Sequence, residues 1–331
     1  MDTKQLKRES MTTAQSEWEA ALATAHAIVA RIIPNGRARM TRLDGGIMNI
    51  MFLAQERKYG KFVVRVYPRR RSKNENFEPD ILRRLRSAGC AVPEVFDSFE
   101  ATTTRPRACL VYKYIEGTPL VLRLGVMSSR ELKYLAKEIV EQLLRIKDVR
   151  VHRFGNLIDG NTAAEIRASE FIEGSIKSCV ESCAKTGALD NLTLSRLAAL
   201  AGAGVPIWAK FDGALGWGDL SAANVIVDDS NRLAGLVDFE GTFALHSALS
   251  VGYLYALGPQ DPLYVAVVEQ FRRAGTELDN ETVSFCAVLR AVRMARYAGQ
   301  DLPTGIQQRE IFEVLPGAAT ALDELAERLN L

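Results

Sequence analysis

The stretch "GWGDLSAANVIVDDSNRLAGLVDFEGT", residues 216–242, sets Asp219, Asn224 and Asp238 at the edges of two short apolar runs. "NVIV" and "LAGLV" read as strands joined by the turn-rich "DDSNR", so Asp219 and Asn224 precede the first strand and Asp238 ends the second. Such a hairpin lets all three face one cleft. Two carboxylates and an amide are hard oxygen donors, and Mg²⁺ takes only one or two carboxylates plus substrate phosphates, which leaves the third group for proton chemistry. Asp219 and Asn224 have the D-x-x-x-x-N spacing of a phosphoryl-transfer loop, and Asp238 in "VDFEG" has the D-F-x position of a metal ligand. A plain hairpin also carries acids at its ends, and Asp228 and Asp229 read as such turn residues. The triplet with the hairpin between its members points to chemistry.

The rest of the chain must position that hairpin. With 331 residues, 47% of them hydrophobic, it can bury a large core, and its length suits two domains or one large two-lobed one. Before residue 115, "RARMTRLDGG", "IMNIMFLAQ", "KFVVRVYP", "AVPEVFDSF" and "RACLVYKYI" read as five strands, interrupted by the helical pattern "NFEPDILRRLRSAG". Helical patterns follow: "SSRELKYLAKEIVEQLLRIKD", "NTAAEIRASEFIEGSIKSCVESCAKTG" and "LDNLTLSRLAALAGAG" ahead of the hairpin, then "DPLYVAVVEQFRRAG", "NETVSFCAVLRAVRMARYAG" and "GAATALDELAERLNL". Strands first and helices after predict an α+β chain of two lobes, a small antiparallel sheet with one helix and a larger, mainly helical part.

Other chemistries lack their parts. There is no G-x-S-x-G for a hydrolase, and His26, His152 and His246 form no acid–base arrangement in sequence. Nucleic-acid binding has only "YPRRRSK" in its favour, and a net charge of +2 gives no broad basic face. The apolar run "ALATAHAIVARII" is too short for a membrane span and contains His26 and Arg31, so it reads as an amphipathic helix. "MDTKQLKRESMTTAQSEWEA" carries charge without the apolar run of a secretory signal, and the expected location is cytoplasmic. Five cysteines, few and odd in number, suit reduced thiols; Cys179 and Cys183, four apart, read as small helix residues rather than half a metal site.

In the opening stretch the chain resembles the aminoglycoside phosphotransferase and choline kinase branch of the protein-kinase-like enzymes, whose catalytic segment is written H-G-D-L-x-x-x-N followed by an I-D-F/W-E strand end. The resemblance runs from about residue 40 to the C-terminus. It implies a protein-kinase-like two-lobed fold: 1–36 as an N-terminal helical extension, 37–115 as a nucleotide-binding N-lobe, and 116–331 as a catalytic and substrate-binding helical C-lobe. It implies ATP or GTP as co-substrate and Mg²⁺ as the metal. Asp219 would be the base or orienting group for an acceptor hydroxyl, while Asn224 and Asp238 would hold Mg²⁺. Gly45 and Gly46 in "LDGGIMNIMFLAQ" would bring backbone N–H groups close to phosphate oxygens. Arg65 in "KFVVRVYP" stands where protein kinases carry the strand lysine, and its fork suits phosphate oxygens. Glu78 matches the helix Glu that pairs with the strand cation, with Glu75 in reserve; Pro79 places Glu78 at the very start of the helix. "ACLVYKYIEGTPL" is similar to the lobe hinge, with Tyr112 at the gatekeeper position and the backbone of Lys113, Tyr114 and Ile115 meeting the adenine edge.

The chain departs from the pattern twice. Trp217 replaces the catalytic-loop His and can donate only through its indole N–H. "FALHSALSVGYL" aligns with the family's G-D-P-x-x-D-L segment and puts Ser250 where a structural Asp is expected. A kinase with a differently held loop and a nucleotide-binding pseudoenzyme both remain open. From residue 212 onward there are 17 Asp and Glu against 8 Arg and no Lys, whereas the preceding residues hold 34 basic and 23 acidic ones. The resemblance places that acidic part on the acceptor side, where its field favours a cationic acceptor. An aminoglycoside-type or other basic antibiotic is the expectation, with choline, ethanolamine or a homoserine-like metabolite as the alternative; no nucleic-acid or membrane partner is expected.

Overall fold

The computed structural model describes residues 3–34, 38–43, 49–67, 77–102, 107–295 and 315–331, with side chains from Trp18 onward. Gly45, Gly46 and Glu75 lie outside the described residues. Among the described residues, 3–79 and 93–114 cluster in one compact unit, and 80–92, 115–295 and 315–331 in a second.

The first unit opens with helix α1 (Thr3–Ile32), followed by strands β1 (Arg39–Leu43), β2 (Ile50–Glu56) and β3 (Gly60–Val66). Helix α2 (Glu78–Ser87) contributes its first two residues here, and β4 (Val95–Phe99) and β5 (Cys109–Lys113) complete a sheet of order β1-β2-β3-β5-β4. All four pairings are antiparallel, and the five strands coincide with the five apolar runs of the sequence. Alternation sends Phe52, Ala54, Phe62, Val64 and Val66 to one face. There they meet Ala21, Ala25, Ile28 and Val29, which recur at helical spacing along α1. Each large side chain buried in that layer contributes about 1.5–3 kcal/mol.

The second unit is mainly helical. Strand β6 (Thr118–Pro119) precedes α3 (Ser129–Asp148), whose N-terminus is closed by a reciprocal Ser128–Glu131 capping box. Next come β7 (Phe154–Leu157), β8 (Ala163–Glu165), α4 (Ala168–Thr186), α5 (Asn191–Ala203) and α6 (Val205–Trp208). The expected helix over 161–187 is therefore shorter than its pattern. Residues 163–165 are drawn into a strand by pairing with β7, Leu157 opposite Ala163 and Phe154 opposite Glu165, and tertiary pairing overrides local propensity.

Strands β9 (Ala214–Trp217), β10 (Val225–Val227), β11 (Leu233–Leu236) and β12 (Thr242–Leu245) carry the polar triplet, and helices α7 (Leu249–Tyr255), α8 (Pro262–Arg273), α9 (Asn280–Ala295) and α10 (Pro316–Leu329) follow. Two small sheets result, β11-β10-β6 and β8-β7-β12-β9. Helix α9 is buried over most of its circumference, from Thr282 to Val292. All five cysteines are buried thiols, and no helix among the described residues is long and apolar enough to cross a membrane.

Candidate active site

Strand β9 ends at Trp217 and β12 begins at Thr242, paired opposite each other. Two glycines carry the contact beyond the strands: Gly218 N donates to Gly241 O at 3.0 Å. A Cβ on Gly218 would lie 2.3 Å from that oxygen and 2.7 Å from the Phe243 ring, so glycine alone permits the approach. Asp219 follows directly. In the intervening hairpin Val225 faces Leu236, and Val237 N donates to Asn224 O at 3.0 Å, which brings Asn224 beside the segment that leads into Asp238. Asn224 Nδ2 donates to Asp219 Oδ2 at 2.7 Å and to Asp219 O at 3.0 Å. The hairpin expected from sequence thus brings Asp219 and Asn224 into contact and carries Asp238 to the same end. Asp228 in the hairpin turn accepts from Ser230 N and Arg232 N, a turn role as expected.

The charges at this end are mutually repulsive. Burial, and then the neighbouring Asp238 carboxylate, push Asp219 up to about 7; Glu240 adds to the shift, while Arg290 and the Asn224 amide oppose it. With 36% of its side-chain surface accessible, the Asp219 carboxyl is recessed rather than sealed. A cation brought here would relieve the repulsion. Asn224 turns its Nδ2 toward Asp219, so its Oδ1 would be the amide atom to meet a cation and Asp238 would add a carboxylate; such a donor set fits Mg²⁺. No group of three His, Cys, Asp or Glu forms a self-contained metal cage among the described residues, and an ion that completes its shell with phosphates and water needs none. Asp238 sits at φ 65°, ψ 69°, a left-handed conformation that Asp tolerates better than most residues.

Trp217 and Ser250 explain how that conformation is held. Trp217 is fully buried and stacks on Phe239 with ring centroids 5.0 Å apart. Its indole Nε1 donates to Asp238 O at 3.0 Å, and its backbone N donates to Ser250 Oγ at 3.1 Å. The two departures from the family pattern are therefore hydrogen-bonded parts of the loop's support. Ser250 is 2% exposed, so Ser250→Ala leaves the Trp217 N–H buried without its acceptor and should cost about 1–3 kcal/mol. Thermal unfolding checks this, and an unshifted midpoint would show that the serine is dispensable.

The first unit holds a second polar group. Arg65 on β3 and Glu78 at the start of α2 form a buried ion pair, Nη1 to Oε1 at 2.8 Å, with side chains 3% and 2% exposed. Tyr67 donates from its hydroxyl to Glu78 Oε2 at 2.6 Å. Tyr112 lies buried in β5, its hydroxyl 3.9 Å from Met51 Sδ. Lys113 N donates to Glu94 O and Tyr114 N to Lys61 O, so these two amide hydrogens are engaged within the unit. No motif marks Arg290 of α9, whose Nη2 lies 3.6 Å from Asp219 Oδ1. The signal was present: an arginine inside the apolar run "FCAVLRAVRMA" implies a buried charge that requires a partner.

The phosphotransferase enzyme family model matches residues 39–280. No curated protein sequence matches the chain. Among solved structures, the chain is similar to a thermostable mutant of aminoglycoside phosphotransferase APH(4)-Ia in ternary complex with ADP and hygromycin B, at TM-score 0.61 and 16% identity, covering 92% of this chain and 97% of that one. ADP-bound aminoglycoside phosphotransferase APH(2'')-Ib matches at TM-score 0.62 and 16% identity, covering 90% and 98%. A GDP complex of an aminoglycoside 2'-phosphotransferase-IIIa mutant matches at TM-score 0.63 and 15% identity, covering 92% and 98%. At such identities the likeness establishes the protein-kinase-like two-lobed fold. The family match spans most of the sequence and includes the whole hairpin that carries Asp219, Asn224 and Asp238, so this chain belongs to the phosphotransferase enzyme family.

Proposed function

We propose that the protein transfers the γ-phosphoryl group of ATP or GTP, as the Mg²⁺ complex, to a hydroxyl of a small amino-bearing acceptor of the aminoglycoside or another basic antibiotic class. The observation that carries this reading is the hairpin that joins Asp219, Asn224 and Asp238 at one end. Asp219 receives the proton of the acceptor hydroxyl as its oxygen bonds to the γ-phosphorus; the bridging P–O bond breaks and the nucleoside diphosphate leaves. Asn224 and Asp238 would hold Mg²⁺, which when bound neutralises phosphate charge. Arg65, oriented by Glu78, would contact phosphate oxygens, and residues 37–115 would serve the nucleotide while 116–331 serve catalysis and the acceptor. Gly45, Gly46, Tyr112 at the gatekeeper position and the backbone of Lys113, Tyr114 and Ile115 belong to the nucleotide part of the same proposal. A cytoplasmic setting goes with it, supported by five buried thiols.

The amino-bearing acceptor rests on charge: 17 acidic residues against 8 basic ones from residue 212 onward. The test is nucleotide consumption across a panel of cationic, neutral and anionic hydroxyl compounds, followed by a salt series on the best acceptor. kcat/KM should fall several-fold as ionic strength rises from about 0.05 to 0.3 M, because the Debye length shrinks below ~10 Å. A neutral or anionic best acceptor with salt-insensitive kcat/KM would refute the cationic assignment.

A further inference from the structure

Arg290 is an unusual occupant of its position. Helix α9 is a core helix, and Arg290 is 9% exposed among Phe285, Cys286, Val288, Leu289 and Ala291. Burying a guanidinium costs several kcal/mol unless it is paired and hydrogen-bonded, and packing alone would be served by Leu or Met. Two contacts with Tyr253 of α7 fix the group: Nη1 donates to Tyr253 O, and Cζ lies 5.5 Å from the centroid of the Tyr253 ring. The Tyr253 ring in turn packs under the catalytic loop, where a Cβ on Gly218 would be 3.1 Å from Cε2. Nη2 then faces Asp219, 3.6 Å from Oδ1, and Asp219 is the carboxylate paired with Arg290 among the described residues.

We propose that Arg290 is a positioning residue for the phosphotransferase reaction: with Asn224 on Oδ2 and the guanidinium beside Oδ1, the Asp219 carboxylate has one orientation in which to meet the acceptor hydroxyl. This rests on the role given to Asp219 above. A carboxylate held through one oxygen alone rotates about its Cβ–Cγ bond, because the terminal torsion of Asp is broad. With a separate partner at each oxygen that rotation is restricted. The 3.6 Å separation is an ion pair longer than a hydrogen bond, so Oδ1 keeps its capacity to accept from an incoming hydroxyl. Asp219 and Arg290 reach this arrangement from two elements far apart in sequence, and the intervening Tyr253 sets the distance between them.

Arg293, one turn along the same helix, provides the control. It stacks over Phe243 at 4.3 Å and over Phe171 at 5.5 Å, and donates to Asn156 Oδ1 at 3.1 Å. It is the same residue type on the same helix, with different work. Arg290→Met, Arg290→Lys and Arg293→Met would be compared with the wild type in kcat, nucleotide KM and thermal midpoint. The expectation is that Arg290→Met lowers kcat by about 10–100-fold with nucleotide KM within about twofold, since misplacement of a reacting group by ~1 Å costs up to 10²-fold. Arg290→Lys, which restores a cation, should recover at least half of the loss on a logarithmic scale, and Arg293→Met should keep kcat even where it lowers the midpoint. Wild-type kcat in folded Arg290→Met would overturn the inference, as would a loss that Arg290→Lys fails to restore and Arg293→Met shares. If Arg290→Met does not fold, Arg290→Gln takes its place: a kcat lowered at near-normal midpoint and nucleotide KM, and restored in Arg290→Lys, supports the role, and a wild-type kcat in folded Arg290→Gln refutes it. A wild-type protein that transfers no phosphate to any acceptor overturns the phosphotransferase reading itself, whereas an active wild type with an indifferent Arg290→Met overturns only the positioning role.

Discussion

Asp219→Asn should lower kcat by about 10³-fold while nucleotide affinity stays within a factor of about two, because the lost group acts on the acceptor proton and not on the purine or the phosphates. Asparagine keeps the size of the side chain and can still bond to Asn224, so the loop should hold its shape. The contrast is Asp238→Asn, which tolerates the left-handed backbone at that position but removes a charged ligand, and should weaken Mg²⁺-dependent nucleotide binding. Isothermal titration with a non-hydrolysable nucleotide, with and without Mg²⁺, separates the two. Near-normal turnover in Asp219→Asn would remove Asp219 from the role of base. The pH dependence follows from the same geometry. Burial and Asp238 raise Asp219 above an ordinary aspartate, and a base works only when ionised. kcat/KM should therefore rise with pH along an acid limb displaced above the ordinary aspartate value by burial, with bound Mg²⁺ offsetting the share that Asp238 adds; a limb at the unperturbed value would contradict the burial of Asp219.

Glu78→Ala should destabilise the first unit by about 3–5 kcal/mol, the usual cost of breaking a buried ion pair by removing one member. Both side chains are almost fully enclosed, and Glu78 also accepts from Tyr67, so its removal takes one hydrogen-bond partner from a buried guanidinium and one from a buried hydroxyl. Urea denaturation followed by a fluorescence probe in the sheet measures the loss. The double replacement Arg65→Met with Glu78→Leu separates structure from function. It should recover most of the stability, since paired buried charges are often replaceable by apolar groups of similar volume, yet raise the apparent nucleotide KM and lower kcat if Arg65 serves the phosphates. A stable double variant with unchanged nucleotide kinetics would place the phosphate clamp elsewhere. A single variant, Glu78→Ala, that unfolds at the wild-type urea concentration would mean that the ion pair contributes nothing to the first unit.

Much of the protein could be read directly. The five strands of the first unit announce themselves because alternation of apolar residues is a local property, satisfied by one buried sheet face whatever lies beyond it. The order of strands before helices sets the α+β class for the same reason. Asp219, Asn224 and Asp238 were legible because a short hairpin converts sequence spacing into spatial proximity. Other features depend on partners distant in the chain. Residues 163–165 have the pattern of a helix and become a strand only because β7 offers a hydrogen-bonding edge. Lys113 and Tyr114 occupy the hinge by resemblance, but the carbonyls of Glu94 and Lys61 take up their amide hydrogens, a fact that only the folded sheet decides. Trp217 and Ser250 look like losses in the sequence and are joined by a hydrogen bond in the structure, across 33 residues. Arg290 stands 71 positions from Asp219, and no local period relates them; their approach is decided by the packing of α7 against α9, which turns a buried charge in one helix toward the recessed carboxylate of a loop.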